Sequence, residues 1–189
     1  NPKKVVHKAI ASGMKALAIT DATAMFGDVI FYKAASAAGI KPILGADCSI
    51  TNHYNRDDYL RLLFLARNHQ GYLTLCDLLS RAWLTNQYKD RGEVDLDWIT
   101  PEMADGLIVL SGFNTGAIGK AILNGSSSAA EQEARRLSQK FPHFFMELQR
   151  VGRPNDEMLV AESVKLAKKL GLPVVATQPI QFENPEDFE

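Results

Sequence analysis

The chain has 189 residues, and its 21 Lys and Arg against 22 Asp and Glu leave a formal net charge of −1. A hydrophobic fraction of 46% and a charged fraction of 23% exclude disordered, collagen-like and coiled-coil chains, and the length fits one domain or one domain with a piece attached. Binding of duplex DNA by this chain alone is not indicated, because such binding depends on a basic face that neutralises phosphates.

The first half of the chain predicts helices alternating with short apolar strands. Asn1 and Pro2 are typical of the N-cap and first position of a helix, which Gly13 ends. The elements predicted next are a strand at 15–20, a helix at 29–38, strands at 41–50 and 59–66, and a helix at 70–84. Only a short polar loop separates the second and third strands, which favours an antiparallel pairing between them.

The second half continues the alternation after an irregular, charge-rich excursion at 86–101. The elements predicted there are a strand at 106–111, helices at 117–123 and 129–140, a strand at 144–149, a helix opened by Pro154 and closed by Gly171, and a strand at 173–177. This order predicts an α/β fold with a mostly parallel sheet, either open or closed as a barrel. In such folds the functional groups lie at the carboxyl ends of the strands.

Polar residues do follow the predicted strands. They are Thr20 and Asp21, Asp47, Asn68, Ser111 and Gly112, Glu147 and Gln149, and Thr177 and Gln178. Among these residues, Asp21, Asp47 and Glu147 could together hold a hard cation such as Mg²⁺. Asp21, Glu147 and Gln178 could also form a polar ring. The alternative is that these positions are polar only because loops begin there.

Other motifs do not establish a site. His7, His53, His69 and His143 show no metal-binding spacing and are interpreted as surface or capping residues. The segment SGFNTGAIGK at 111–120 follows a strand and precedes a helix, but its spacing fits neither a Walker loop nor a dinucleotide fingerprint. Its glycines are explained by tight turning and helix capping.

The two cysteines and the apolar runs favour a cytoplasmic protein. Cys48 and Cys76 form no C-x-x-C motif and are expected to be reduced core thiols. No apolar run reaches the roughly 18 residues that cross a bilayer, and the first residues do not resemble a signal peptide. We therefore expect no association with a membrane.

Several segments together resemble the polymerase-and-histidinol-phosphatase (PHP) domain family, in particular the PHP domains of the alpha subunits of bacterial replicative DNA polymerase III. The segments are ALAITDATAMFGDVIFYKAASAAGIKPILGAD at 16–47, LFLARNHQGYLTLCDLLSRAW at 63–83, and then DGLIVLSG, FFMELQRVGRP and LGLPVVATQPIQF. They occur in the family's order and spacing and cover nearly the whole chain. The resemblance implies a distorted seven-stranded β/α barrel.

The resemblance also implies where the family's metal ligands fall. They fall on Ala22, Asp47, Arg61, Phe113, Pro179 and Gln181, of which only Asp47 remains a good ligand. Ala, Phe and Pro offer no donor side chain, and Arg places a permanent cation in the pocket. The family's first strand, with its His-x-His pair, would precede Asn1. We therefore expect residues 1–189 to be a single, incomplete PHP segment with a degenerate metal pocket.

The function implied by the resemblance is non-catalytic. The segment would support the polymerase alpha subunit and help to dock the epsilon proofreading exonuclease and other replicase subunits. It would hold no metal or other cofactor, whereas the parent polymerase site would use Mg²⁺ for DNA synthesis and contact the DNA. Two alternatives stay open: a metal-dependent phosphoesterase that uses Asp21, Asp47 and Glu147, and a barrel in which Arg61 binds an anion. If Arg61 replaces the cation, it could instead pair with Asp47.

Overall fold

The computed structural model describes residues 2–180 as a layer of helices packed on one six-stranded sheet. The helices are α1 (Pro2–Ala11), α2 (Asp28–Ala37), α3 (His69–Thr85), α4 (Pro101–Asp105), α5 (Ala117–Leu123), α6 (Ser127–Lys140) and α7 (Asp156–Leu170). The strands are β1 (Ala16–Ala22), β2 (Lys41–Ile50), β3 (Leu60–Ala66), β4 (Gln87–Tyr88), β5 (Arg91–Gly92), β6 (Leu107–Leu110), β7 (Phe144–Leu148) and β8 (Val174–Ala176). The N-cap predicted at Asn1 and the position Gln181 lie outside the described residues.

The main sheet has the strand order β1-β2-β3-β6-β7-β8. β1 pairs parallel with β2, and β6, β7 and β8 pair parallel with one another. β3 pairs antiparallel with both of its neighbours, so it alone runs against the other strands of this sheet. The predicted mostly parallel sheet and the predicted antiparallel pairing of β2 with β3 are both confirmed. The amino end of β3 consequently lies at the edge where the other five strands finish.

The direction of β3 corrects one sequence-based expectation. Asn68 follows the carboxyl end of β3, and this end lies at the opposite edge of the sheet from Asp47 and Glu147. The Asn68 side chain accepts a hydrogen bond from the backbone N–H of Gly71 at 2.9 Å. Asn68 is therefore the N-cap of α3 and does not belong to a polar ring.

The apolar residues form two separate clusters on the helix side of the sheet. The larger one gathers side chains from β2, β3, β6, β7 and the helices α3 to α7, with Phe64 and Phe141 in contact at a ring distance of 5.9 Å. The smaller one joins α1, α2 and the residue before β2 through Val6, Phe31 and Ile40. None of the described helices is both long enough and apolar enough to span a bilayer.

The predicted start of the last helix differs from the structure. The last helix begins at Asp156 and not at Pro154, because Asn155 has a left-handed backbone with φ +71°. The Asp156 carboxylate accepts hydrogen bonds from the N–H groups of Val151 and Arg153 at 3.0 and 3.1 Å, which fixes the turn before the helix.

The stretch at 86–101 is more regular than predicted, because β4 and β5 form a small hairpin within it. The fully buried Glu93 holds this hairpin to the preceding loop, since its two carboxylate oxygens accept hydrogen bonds from Arg56 and Arg91 at 2.9 and 3.0 Å. The Arg56 guanidinium also bonds the side-chain oxygen of Asn86 at 3.2 Å. This long-range network has no local sequence signature.

Candidate functional site

Three charged side chains from three strands meet at the edge where most of the strands end. Asp47 comes from β2, Arg61 from β3 and Glu147 from β7. Arg61 reaches this edge only because β3 runs in the reverse direction, which places the second residue of that strand beside the carboxyl ends of its neighbours. We call Asp47, Arg61, Gly112 and Glu147 the mouth cluster.

Arg61 is the centre of the mouth cluster. Its Nε donates a short hydrogen bond to Asp47 Oδ1, and its Nη1 donates to the backbone oxygen of Gly112 at 3.3 Å. The same Nη1 lies 3.5 Å from Glu147 Oε2. The side chain of Arg61 is 17% exposed, that of Asp47 28% and that of Glu147 only 1%. The predicted pairing of Arg61 with Asp47 is confirmed.

Hydrogen bonds saturate the carboxylate of Glu147. Oε2 accepts the backbone N–H of Gly112 at 3.0 Å. Oε1 accepts the hydroxyl of Thr177 at 2.6 Å and the side-chain N–H of Gln149 at 2.9 Å. The backbone N–H of Glu147 itself donates to Ser111 Oγ at 2.9 Å. With these partners and Arg61, Glu147 has little capacity left for a further ligand.

The electrostatics of the mouth cluster centre on one cation between two anions. Burial raises the pKa of Asp47 above its ordinary value, and the hydrogen bond and charge of Arg61 offset only part of this rise. Burial works against the charged form of Arg61, but the bond to Asp47 and the charges of Glu147 and Asp47 outweigh it and raise the pKa of Arg61. The guanidinium therefore stays charged at any physiological pH.

The turn after β6 brings the backbone into the mouth cluster. Gly112 has φ +80°, and a Cβ built on it would lie 2.2 Å from the backbone oxygen of Arg61. Phe113 follows with φ +43° and is 2% exposed, so an apolar ring occupies a position where the family resemblance places a metal ligand. The predicted explanation of these glycines by tight turning is confirmed, because a Cβ at Gly116 would lie only 1.8 Å from the backbone oxygen of Ser111.

The remaining predicted residues do not join the mouth cluster. In the register of β1 with β2, Ala22 lies opposite Asp47, whereas Asp21 lies opposite Ala46, whose side chain packs in the helix-side core. Because side chains alternate between the faces of a strand, Asp21 points away from Asp47. Gln178 and Pro179 follow β8 and are exposed. The grouping of Asp21 with Asp47 and Glu147, and the ring with Gln178, are therefore not seen.

Asp21 lies instead near a buried acid that the sequence analysis did not single out. Asp28, at the first turn of α2, is 1% exposed, and neither of its carboxylate oxygens has a hydrogen-bond partner among the described residues. Burial, and then the negative charge of Asp21, raise the pKa of Asp28 from 3.8 to about 7. No local pattern marks this burial, since an aspartate in the first turn of a helix is usually exposed.

We expect Asp28→Asn to stabilise the fold above neutral pH. Between pH 3.8 and about 7 the folded chain keeps a proton on Asp28 that the unfolded chain loses, so the wild-type free energy of unfolding falls as pH rises through this range and then levels. Asn carries no charge, and the variant should gain about 1–3 kcal/mol at pH 8 and almost nothing at pH 4. Urea unfolding at both pH values measures the difference.

Asp21→Asn is the matched control for that measurement. It removes the neighbouring charge and leaves Asp28 buried, so it should recover only part of the gain. Equal gains of Asp28→Asn at pH 4 and pH 8 would show that Asp28 does not titrate in this range.

Sequence comparison identifies similar proteins over nearly the whole chain. The sequence profile of the PHP domain matches residues 1–151. The DNA polymerase III subunit alpha of Neisseria meningitidis serogroup B is 45% identical over 98% of this chain, and that of Escherichia coli K12 is 41% identical over 98%. The chain spans only 16% of the length of these relatives.

Comparison with solved structures agrees with the strand arrangement. A putative metal-dependent phosphoesterase from Bifidobacterium adolescentis superposes with a TM-score of 0.60 at 10% identity, covering 97% of this chain and 86% of that one. An amidohydrolase from Chromobacterium violaceum gives a TM-score of 0.65 at 14% identity, covering 99% and 84%. At these identities the likeness concerns the fold, an incomplete β/α barrel built on a curled sheet.

Proposed function

The chain belongs to the PHP domain family, and from this membership we propose that it is a non-catalytic PHP segment of a bacterial DNA polymerase III alpha subunit. In this function the segment supports the subunit and helps to dock its partners. DNA synthesis, with its Mg²⁺ and its contacts to DNA, belongs to the remainder of the parent subunit in the cytoplasm.

The observation that carries the proposal is the position of Arg61 between Asp47 and Glu147. A metal pocket needs several free electron-pair donors, but both carboxylates here already bind a permanent cation. Ala22 and Phe113 offer no donor side chain at the positions where the family resemblance places ligands. The residues present therefore do not fit a metal cluster at the mouth.

The two alternative functions have less support. A phosphoesterase built on Asp21, Asp47 and Glu147 requires these carboxylates to converge, but the register of β1 with β2 directs Asp21 to the other face. An anion at Arg61 would add a third negative charge beside Asp47 and Glu147, which already pair with the Nε and Nη1 of Arg61.

The absence of catalysis is tested by assaying the purified chain with Mn²⁺ or Zn²⁺ on a phosphate monoester and on a single-stranded oligonucleotide. We expect no hydrolysis above the level of the Glu147→Gln variant, because both carboxylates of the mouth cluster already pair with Arg61. Metal-dependent hydrolysis that Glu147→Gln abolishes would overturn the proposal. Hydrolysis that survives this substitution would indicate a contaminating enzyme, which repurification would remove.

The docking function is tested with the parent subunit. In the polymerase III assembly the expected partner of this segment is the epsilon exonuclease subunit, together with the rest of alpha and the other replicase subunits. Size-exclusion chromatography of the full-length alpha subunit with epsilon, with and without residues 1–189, should show co-elution only when these residues are present. Undiminished co-elution without them would refute the docking function.

A further inference from the structure

A second cluster of possible metal ligands lies outside the mouth, on the helix side of the molecule. It borders a cleft of about 560 Å³ between the loop after β2, the segment before α4, and the helices α5 and α6. The floor of the cleft is apolar and includes Ile50, Leu60 and Leu96, and its rim carries His53 and Asp95. A volume of this size lies in the range of ligand-binding clefts.

Three side chains at one wall of the cleft form a compact donor set. His53, Asp95 and Asp97 each offer one ligand atom, and these atoms lie within 4.8 Å of one another. His53 Nε2 is 3.4 Å from Asp95 Oδ2. Two ligands of a tetrahedral zinc ion, each about 2.1 Å from the metal, are separated by about 3.4 Å. The imidazole and the carboxylate therefore have the spacing of neighbouring ligands of one ion.

Backbone hydrogen bonds hold the two segments of this set together. Val94 donates its N–H to the oxygen of Ser49 at 2.8 Å, and Thr51 donates to the oxygen of Val94 at 3.0 Å. Asp95 Oδ1 accepts the backbone N–H of Asp97 at 2.9 Å, which orients the carboxylate and leaves Oδ2 facing His53. The set is consequently arranged by the fold and does not depend on flexible side chains alone.

The charges around the set favour a cation. Asp95 and Asp97 contribute two carboxylates to the set, and His53 contributes an imidazole. Arg136 interacts electrostatically with Asp97, but Glu133 binds the guanidinium of Arg136 through two hydrogen bonds of 2.8 and 2.7 Å. A divalent ion would balance the two carboxylates, and the cleft leaves room for water to complete its coordination shell.

We propose that His53, Asp95 and Asp97 bind one first-row divalent cation, of which Zn²⁺ is the probe. An imidazole with two carboxylates suits Zn²⁺ better than Mg²⁺, which prefers oxygen ligands alone. The expectation that the segment holds no metal then applies only to the mouth cluster. The proposed function does not depend on this second site. The ion would tie the loop after β2 to the segment before α4.

Isothermal titration of Zn²⁺ into the full chain at pH 7.5 tests the proposal. We expect one ion per chain, and at least tenfold weaker binding by both His53→Ala and Asp95→Asn. The His53 side chain is 62% exposed, and Asn keeps the capping bond of Asp95, so both variants should fold. As a second readout, Co²⁺ should give a visible absorption band that His53→Ala removes.

The matched control is a second His–Asp pair in the chain. His143 Nε2 lies 3.4 Å from Asp105 Oδ1, but this pair is not part of any three-ligand group among residues 2–180. His143→Ala should leave Zn²⁺ binding unchanged, as should Glu147→Gln at the mouth. Absence of binding by the wild type, equal affinity of the His53→Ala variant, or loss of binding in either control would overturn the proposal.

Discussion

Replacing Arg61 with methionine is expected to lower the free energy of unfolding by about 3–5 kcal/mol, the cost of breaking a buried ion pair by removing one partner. Methionine keeps much of the side-chain length but removes the cation, which leaves the carboxylates of Asp47 and Glu147 facing each other in a largely buried site. The loss should be reduced at low pH, where Asp47 can take up a proton. Urea denaturation at pH 7.5 and pH 5 measures both effects.

Arg61→Lys is the matched control for this substitution. Lysine restores the charge but cannot bind Asp47 and the backbone oxygen of Gly112 with the geometry of a guanidinium, so an intermediate loss is expected. If methionine costs less than about 1 kcal/mol, as is typical of an exposed pair, Arg61 does not hold the strand ends together.

Gly112→Ala is the second substitution with a large expected effect. An alanine Cβ would lie 2.2 Å from the backbone oxygen of Arg61, and the residue would keep a left-handed φ of +80°. Strain of about 1–3 kcal/mol from the backbone adds to a similar cost from overpacking, so we expect a total loss of about 2–5 kcal/mol. The change in the free energy of unfolding, measured in urea, is the readout.

Gly125 offers a control with the same backbone conformation and no crowding. Its φ is +72°, and a Cβ built there meets no atom within 4 Å. Gly125→Ala should therefore show the backbone cost alone, about 1 kcal/mol. Equal losses at both positions would mean that the turn at Gly112 moves aside and that the close approach to Arg61 is not required.

Much of the fold could be predicted from the sequence, because the strands are short apolar runs bounded by turn residues. The short polar loop between residues 50 and 60 correctly indicated that β2 and β3 are antiparallel. The pairing of Arg61 with Asp47 could also be anticipated, because a cation at the position of a lost metal ligand has few other partners. Element ends were less predictable, as the late start of α7 at Asp156 shows.

The parts that could not be predicted depend on register and long-range burial. The sequence does not show whether Ala22 or Asp21 lies opposite Asp47, and in the structure it is Ala22. A shift of the strand pairing by one residue would move every side chain of the strand to the other face of the sheet. Nor does it show that the Asp28 carboxylate is buried without a hydrogen-bond partner among the described residues. It also does not show that Glu93 accepts hydrogen bonds from two arginines in separate segments. Each of these features depends on contacts between residues far apart along the chain.

The fixed guanidinium between Asp47 and Glu147 has a consequence for how this module is maintained in the cell. A barrel whose mouth is held by bound ions depends on the supply of those ions and can be stripped by chelators or loaded with the wrong element. Here the positive charge at the mouth is a side chain of the polypeptide, the guanidinium of Arg61. The cation that pairs with Asp47 and Glu147 is therefore in place as soon as translation and folding are complete, whatever the metal status of the cell.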